Sequence, residues 1–253
     1  MNGDSLVGAP RRKTYDAARS YGPKVERNPA PRTITYRTMV YGAIRDDEDH
    51  NKEVLRAVGR RIGRVVQVSP RCVDGTVPYD ALRLLGWTDR TTVETTPDHL
   101  WRTLVADRTF DGSRAPSWWR RANMFVLSMA SRDGDLNTQR LLQSKAMPLT
   151  VQEYLRRMQA IVWNRRVFDT ESPCTDAEDA SFLPVLVGIG PRDCRHGDVL
   201  CILLGCSVPV LLRERRSHFE LVGECYVHGM MDGEALLSDQ AVAEASITEF
   251  DLV

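Results

Sequence analysis

The run "HGDVLCILLGCSVPVLLRERRSHFELVGECYVHG", residues 196–229, sets the tightest limit on what this chain can fold into. Turn signals recur along it: Gly197 with Asp198, Gly205 ahead of Pro209, and a charged stretch at 213–218. Strands between such closely spaced turns pair with their neighbours, which predicts a small antiparallel sheet or barrel. Residues 199–204 offer no polar face, so their strand is central and buried on both sides. Helices upstream are expected to cover one of those sides. Pro209 brings no ladder donor, so its strand begins there or lies at an edge. "FLPVLVGIG", at 182–190, reads as a further strand stopped by Gly190 and Pro191.

The middle third has helical periodicity. "TTPDHLWRTLVADR" offers Thr96 as N-cap and Pro97 at the first helical position, then an apolar face of Leu100, Trp101, Leu104 and Val105. "APSWWRRANMFVLSMAS" starts at Ser117 and carries Trp118, Ala122, Phe125, Val126 and Met129 at helical spacing. "LTVQEYLRRMQAIVWNRRVF" pairs Thr150 with Glu153 as a capping box and continues the stripe through Val151, Tyr154, Leu155, Met158, Ile161 and Val162. Upstream, "VLRAVGRRIGRVVQVS" becomes β-like after Gly63, with Gly59 and Gly63 allowing a bend before the strand. "TITYRTMVYGAI" is also β-rich, and the acidic stretches that follow it and that cover 169–181 read as solvated loops.

The fold class expected is therefore α+β. A small antiparallel β-sheet or barrel, with strands near 54–69 and 182–228, carries a helical insertion at about 96–168. Residues 34–253 form a single domain in this reading. Residues 1–33 are basic and proline-containing with little apolar periodicity, and are expected to be disordered.

Lys and Arg number 34 and so do Asp and Glu, and this balance gives no argument for a nucleic acid or an anionic membrane as partner. The longest apolar run, 199–212, is broken by Gly205, Ser207 and Pro209 and falls short of the ~20 residues of a membrane span. No apolar core marks the N-terminus as a secretory signal, and Asp4 and Asp16 argue against an organelle presequence, so a cytoplasmic location is expected. The six cysteines, Cys72, Cys174, Cys194, Cys201, Cys206 and Cys225, contain no C-x-x-C pair and are expected to be free and buried.

Chemistry concentrates in "GECYVHGMMDGEAL", residues 223–236. A catalytic reading takes Cys206 or Cys225 as nucleophile, His228 as base and Asp232 as orienter. Strand alternation sends Cys225 and Val227 to one face and Glu224, Tyr226 and His228 to the other, which leaves Cys206 with His228 as the workable pair. A metal reading draws on Cys194, His196, Cys201, Cys206, His218, Cys225 and His228. Its one close pair, Cys194 and His196, lies on a turn, and neither a metal nor a cofactor is expected. The structural reading explains more of the spacing. Gly190 with Pro191 and Gly197 with Asp198 make turns, Gly205 reverses the chain toward Pro209, and Gly223 permits a bulge or a close backbone approach. Asp232 and Gly233 make a tight turn with the carboxylate on nearby backbone N–H groups. Glu224 and His228 share a face and call for partners, Asp232 or a basic side chain. The stretch 213–218 is a solvated hairpin tip, with contact to an anionic partner as the alternative.

These residues carry a resemblance. Gly188, Gly190, Pro191, Gly197, Asp198, Leu203, Gly205 and Pro209, then the LVGE block at 221–224, Tyr226 to Gly229 with Val227 and His228 between them, and the block of Met231, Asp232, Gly233 and Glu234 closely resemble the C-terminal signature of fungal heterokaryon-incompatibility (HET-domain) proteins. Segments around 54–70 and 100–108 extend it. The Y-x-A-L-S-Y-x-W-G-like stretch of the family's N-terminal HET domain is not matched, so the resemblance implies the C-terminal region without that domain. It further implies a non-catalytic regulatory or interaction module serving nonself recognition, with another protein as partner. The alternative function is a cysteine-dependent hydrolase or transferase using Cys206 and His228.

Overall fold

Strand β2 (Asn51–Val68) is the axis of the β part, and every other large strand reaches it directly or through one or two neighbours. The structure, a computed structural model, describes residues 15–18, 39–45, 51–130, 134–171, 185–237 and 247–253. Most of residues 1–33, the acidic loop 46–50 and residues 172–184, with Cys174, lie outside them. Contrary to the expectation of a bend before a strand at Gly63, β2 runs through both glycines, with a register shift between Arg61 and Gly63. The glycines admit neighbours instead. A Cβ on Gly59 would sit 2.4 Å from the Ile202 carbonyl oxygen, and one on Gly63 would press on Thr170 at 3.1 Å.

Strand β1 (Met39–Arg45) pairs with the first part of β2. A two-stranded ladder, β3 (Thr76–Val77) with β4 (Leu136–Asn137), then ties together a helical layer. That layer comprises α1 (Tyr79–Leu84), α2 (Asp98–Leu104), α3 (Trp119–Leu127), α4 (Thr138–Leu142) and α5 (Leu149–Val162). It starts earlier than expected, at Tyr79. It also ends earlier, because Asn164 takes the left-handed conformation (φ 58°) that closes a helix. β5 (Arg166–Glu171) follows at once, where the β-branched and aromatic residues of the expected helix tail lie.

The remaining strands are β6 (Val187–Gly190), β7 (Val199–Leu203), β8 (Val210–Glu214), β9 (Phe219–Glu224), β10 (Tyr226–Val227) and, after the short helix α6 (Glu234–Leu237), β11 (Ile247–Leu252). Among the described residues, all pairings apart from β9 with β11 are antiparallel. Pairing closes in two rings. One runs β2–β5–β6–β10, continues into β9 across Cys225, and returns through β8 and β7 to β2. The other runs β2–β11–β9–β8–β7 and back to β2. The molecule is α+β, a large and mostly antiparallel sheet with a helical layer.

β7 shows what the double closure does. Leu200 and Ile202 join the first core with Ile62, Val65, Phe168, Leu211, Cys225 and Val227. Val199, Cys201 and Leu203 join a second with Ala57, Val210, Leu212, Phe250 and Leu252. β7 is thus buried on both faces as expected, but its second face is covered by the other ring, where the sequence predicts helices. The helices instead cover the outward side chains of β5, β6 and β10, where Val167, Ile189 and Tyr226 join the helical core. Gly188 and Gly190 point the other way, onto the Phe168 ring.

Within the helical layer the α5 stripe is buried as expected. Its proposed capping box does not form, because the helix already starts at Leu149 behind Pro148 and Thr150 lies inside it. Thr96 likewise donates its hydroxyl to the Thr92 carbonyl and leaves the cap of α2 to Pro97. Ser117 is one residue short of the cap of α3, which is Trp118. The α3 stripe is rotated from the expected one: Trp118, Phe125 and Met129 are exposed, while Trp119, Ala122, Asn123 and Val126 are buried. Tyr154 explains the choice, since its ring stacks edge-on to Trp119 and its hydroxyl hydrogen-bonds Asn123 Oδ1 at 2.9 Å.

Candidate functional site

The motif residues lie along the span from β6 to α6, and most of them are committed to holding its loops in place. Gly190 ends β6, and the Pro191 carbonyl accepts from Cys194 N–H to make the first turn. Gly197 adopts φ +85° and its N–H donates to the Val65 carbonyl, fastening the next turn to β2. Beside it Asp198 is almost fully buried. It accepts Arg195 N–H at 2.8 Å and both Nε (2.9 Å) and an Nη (3.0 Å) of Arg213, a forked pair that locks the β6–β7 turn to β8. Gly205 (φ +92°) reverses the chain after β7, and the Pro209 carbonyl accepts from Cys225 N–H. At Gly223 the ladder has a bulge: Leu211 faces Gly223 while Leu212 faces Leu221. Its φ of +146° and the Pro191 ring, 3.2 Å from where a Cβ would stand, both suit glycine.

Beyond the bulge the faces separate as strand alternation requires. Cys225 and Val227 enter the first core, and Tyr226 enters the helical core. Glu224 pairs with Arg165 at 3.4 Å. The loop that follows turns at Gly229 (φ +76°) and Gly233 (φ +95°), and Glu234 accepts from Asp232 N–H. The Asp232 carboxylate does not turn back on its own loop. Both oxygens accept from one Nη of Arg108, at 2.8 and 2.9 Å, because a guanidinium held at 7% exposure needs an anionic partner. Arg108 also donates to the Asp107 carbonyl and lies over the Tyr15 ring, 4.6 Å from its centroid. Asp107 in turn accepts from Arg102 and from Arg114.

His228 sits at the rim of this network. Its Nδ1 is 3.3 Å from the Tyr226 hydroxyl, and its ring centroid is 6.2 Å from that of His99 on α2. Burial holds both imidazoles below the usual histidine value, and each ring's neighbours add to or oppose that: for His228, His99 and Arg102 lower it further while Asp107 and Asp98 raise it.

Cys206 lies on the Gly205 turn and packs against the second core. No hydrogen bond joins it to His228 among the described residues, and the neighbours that set each group are different. Burial pushes the Cys206 thiol up, raises Cys194 and Cys201 to about 12, and drives Cys225 well above its usual value. Thiols raised in this way are poor nucleophiles at neutral pH. His196 Nδ1 contacts the Val66 carbonyl, and His218 lies on the β8–β9 hairpin. Among the described residues no three His, Cys, Asp or Glu side chains come together in a set able to hold a metal ion.

Arg108, Asp107, Arg165, His99 and Tyr15 complete this site without having been marked by the sequence. Arg108 was hidden in the tail of an expected helix, and the left-handed turn of Ala106 (φ 51°) and Asp107 (φ 47°) that aims it has no glycine to announce it.

Residues 184–244 match the family model described as the Het-6 beta-barrel domain. Comparison with curated proteins and with solved structures found no match. The matched span holds β6 to β10 and α6, whereas β2, β5 and β11, which close the two rings, lie outside it. Residues 184–244 are thus similar to a Het-6 beta-barrel domain, consistent with the C-terminal region of HET-type fungal proteins.

Proposed function

We propose that this chain is a regulatory or interaction module of a heterokaryon-incompatibility-type protein in a fungal cytoplasm, acting in nonself recognition through contact with another protein. The match of 184–244 to the Het-6 barrel carries this reading. The internal use of the motif supports it: Asp198, Glu224 and Asp232, three of its four acidic groups, each hold an arginine, and the fourth, Glu234, accepts from the Asp232 N–H. A catalytic carboxylate must instead stay available to a base or a substrate.

The test compares proteins captured from fungal extract by the wild-type chain and by Gly223→Trp, which disturbs the bulge, after both have been shown to melt cooperatively. A defined partner lost in the variant is the expected result. Identical profiles, or no partner, would count against an interaction module. Alkylation kinetics test the hydrolase or transferase alternative on the same preparation. Cys206 is expected to react no faster than a cysteine in an unstructured peptide, and rapid labelling abolished by His228→Gln would favour the enzyme.

A further inference from the structure

Residues 15–18 are bound to the rest of the fold in the manner of a docked peptide. The Asp16 N–H donates to the Met231 carbonyl at 3.0 Å and the Ala17 N–H to the Ser207 carbonyl at 3.1 Å. Those two acceptors belong to the loop after β10 and the loop after β7, so the segment's backbone bridges them. Its side chains enter separate pockets. Tyr15, 2% exposed, joins the helical core, and Ala17, 0% exposed, joins the first ring's core. The Tyr15 hydroxyl donates to the Ala106 carbonyl, its ring lies under Arg108, and the Tyr226 ring flanks it at 6.3 Å.

Backbone hydrogen bonds combined with buried side chains are how proteins read short peptides, the first giving affinity and the second specificity. Here Tyr15 and Asp16 lead into a turn at Ala17 and Ala18, both of which pack on the first ring's core. Ala106 and Asp107 both hold left-handed backbone, uncommon for residues with a Cβ. That turn presents one carbonyl to the tyrosine hydroxyl and sets Arg108 over its ring. At the second contact the segment places an alanine that is fully buried.

We propose that this seat is a recognition site for a Tyr-x-Ala peptide, filled in cis by Tyr15 and Ala17. A partner protein carrying such a segment takes the seat by displacing this chain's own. The inference gives the interaction module of the preceding section a site and a ligand class, and rests on that reading for its biological sense. The seat itself rests on the contacts of Tyr15, Asp16 and Ala17.

The test uses the full chain and a fluorescein-labelled peptide of residues 12–20, read by fluorescence anisotropy. The variants Tyr15→Ala and Ala17→Asp change only the docked segment. Each is expected to bind the peptide at least tenfold more tightly than the wild type, whose seat is filled. A peptide with alanine in place of its tyrosine is expected not to bind. Excess wild-type peptide should raise the melting temperature of either variant toward that of the unaltered chain. Equal affinity for wild type and variants, or no binding to a variant that melts cooperatively, would overturn the proposal. So would loss of cooperative melting in both variants, since the segment would then be part of the core and not a ligand. Peptide binding with no captured partner would leave the seat standing and remove the interaction function.

Discussion

Arg108 and Asp198 solve the same problem at the two ends of the site. Each is a buried side chain of charged type, and each is held by a partner of opposite sign through two hydrogen bonds, Asp232 for the arginine and Arg213 for the aspartate. Burying an unpaired charge is costly enough that removing either partner leaves a liability behind. The two histidines are instead biased toward the neutral form by burial. Because His99 and His228 are held below the ordinary value, the unfolded chain binds protons that the folded chain refuses. Their contribution is therefore fully present above the ordinary histidine value of about 6.5 and declines as pH falls through it toward the folded values. The melting temperature is expected to drop between about pH 7 and pH 5.5. His99→Gln removes one titrating ring and the like charge facing His228, so it should flatten that dependence. An equally steep profile in the variant would place the pH sensitivity elsewhere.

Among the elements, β6 is governed most closely by what it lacks. A Cβ on Gly188 would lie 2.3 Å from the Tyr226 carbonyl oxygen and 2.7 Å from Phe168 Cζ, while Gly197 has open space around it and only a positive φ. Gly188→Ala is expected to destabilise the fold by about 3 kcal/mol, the upper range for overpacking. Gly197→Ala should cost about 1 kcal/mol, the order of the left-handed penalty. Urea denaturation measures both. Combining Gly188→Ala with Phe168→Leu should recover little, since the nearer obstacle is backbone; full recovery would show that the ring alone sets the limit. The sequence announced this strand and its turn, as it did β7, because Gly, Pro and apolar runs act locally. It announced α5 for the same reason: one unbroken stripe leaves a single way to bury it. It misled at α3, where Trp118 and Trp119 are adjacent and either can begin a stripe. Only Tyr154, thirty-odd residues on, decides between them. β11 and the pairing of Arg108 with Asp232 were illegible for a stronger form of that reason. Both depend on partners more than a hundred residues away, and neither leaves a local trace.

Across the whole molecule, the helical layer and the β part share side chains and not merely a boundary. Along β5 and β10, Val167 and Tyr226 face the helices while Phe168, Cys225 and Val227 face the ring interior. α1 packs on β5 and α2 on β6, so neither layer can lose its packing without baring the other. We propose that residues 34–253 form one cooperative unit, on which residues 15–18 are seated, and the distribution of tryptophan allows a direct test. All five, Trp87, Trp101, Trp118, Trp119 and Trp163, lie on the helical side of the chain, between α1 and β5. Their fluorescence reports the helical layer, whereas far-UV circular dichroism reports strands and helices together. Leu211 is fully buried inside the first ring, where its Cδ1 stands 3.0 Å from the space a Gly190 Cβ would occupy. Leu211→Ala should cost about 3 kcal/mol as a core truncation. If the layers fold together, the tryptophan midpoint falls in step with the dichroism midpoint although no tryptophan belongs to the core that holds Leu211. If the helical layer is a separate domain, its fluorescence transition stays at the wild-type midpoint while the strand signal moves, and the single-unit reading fails.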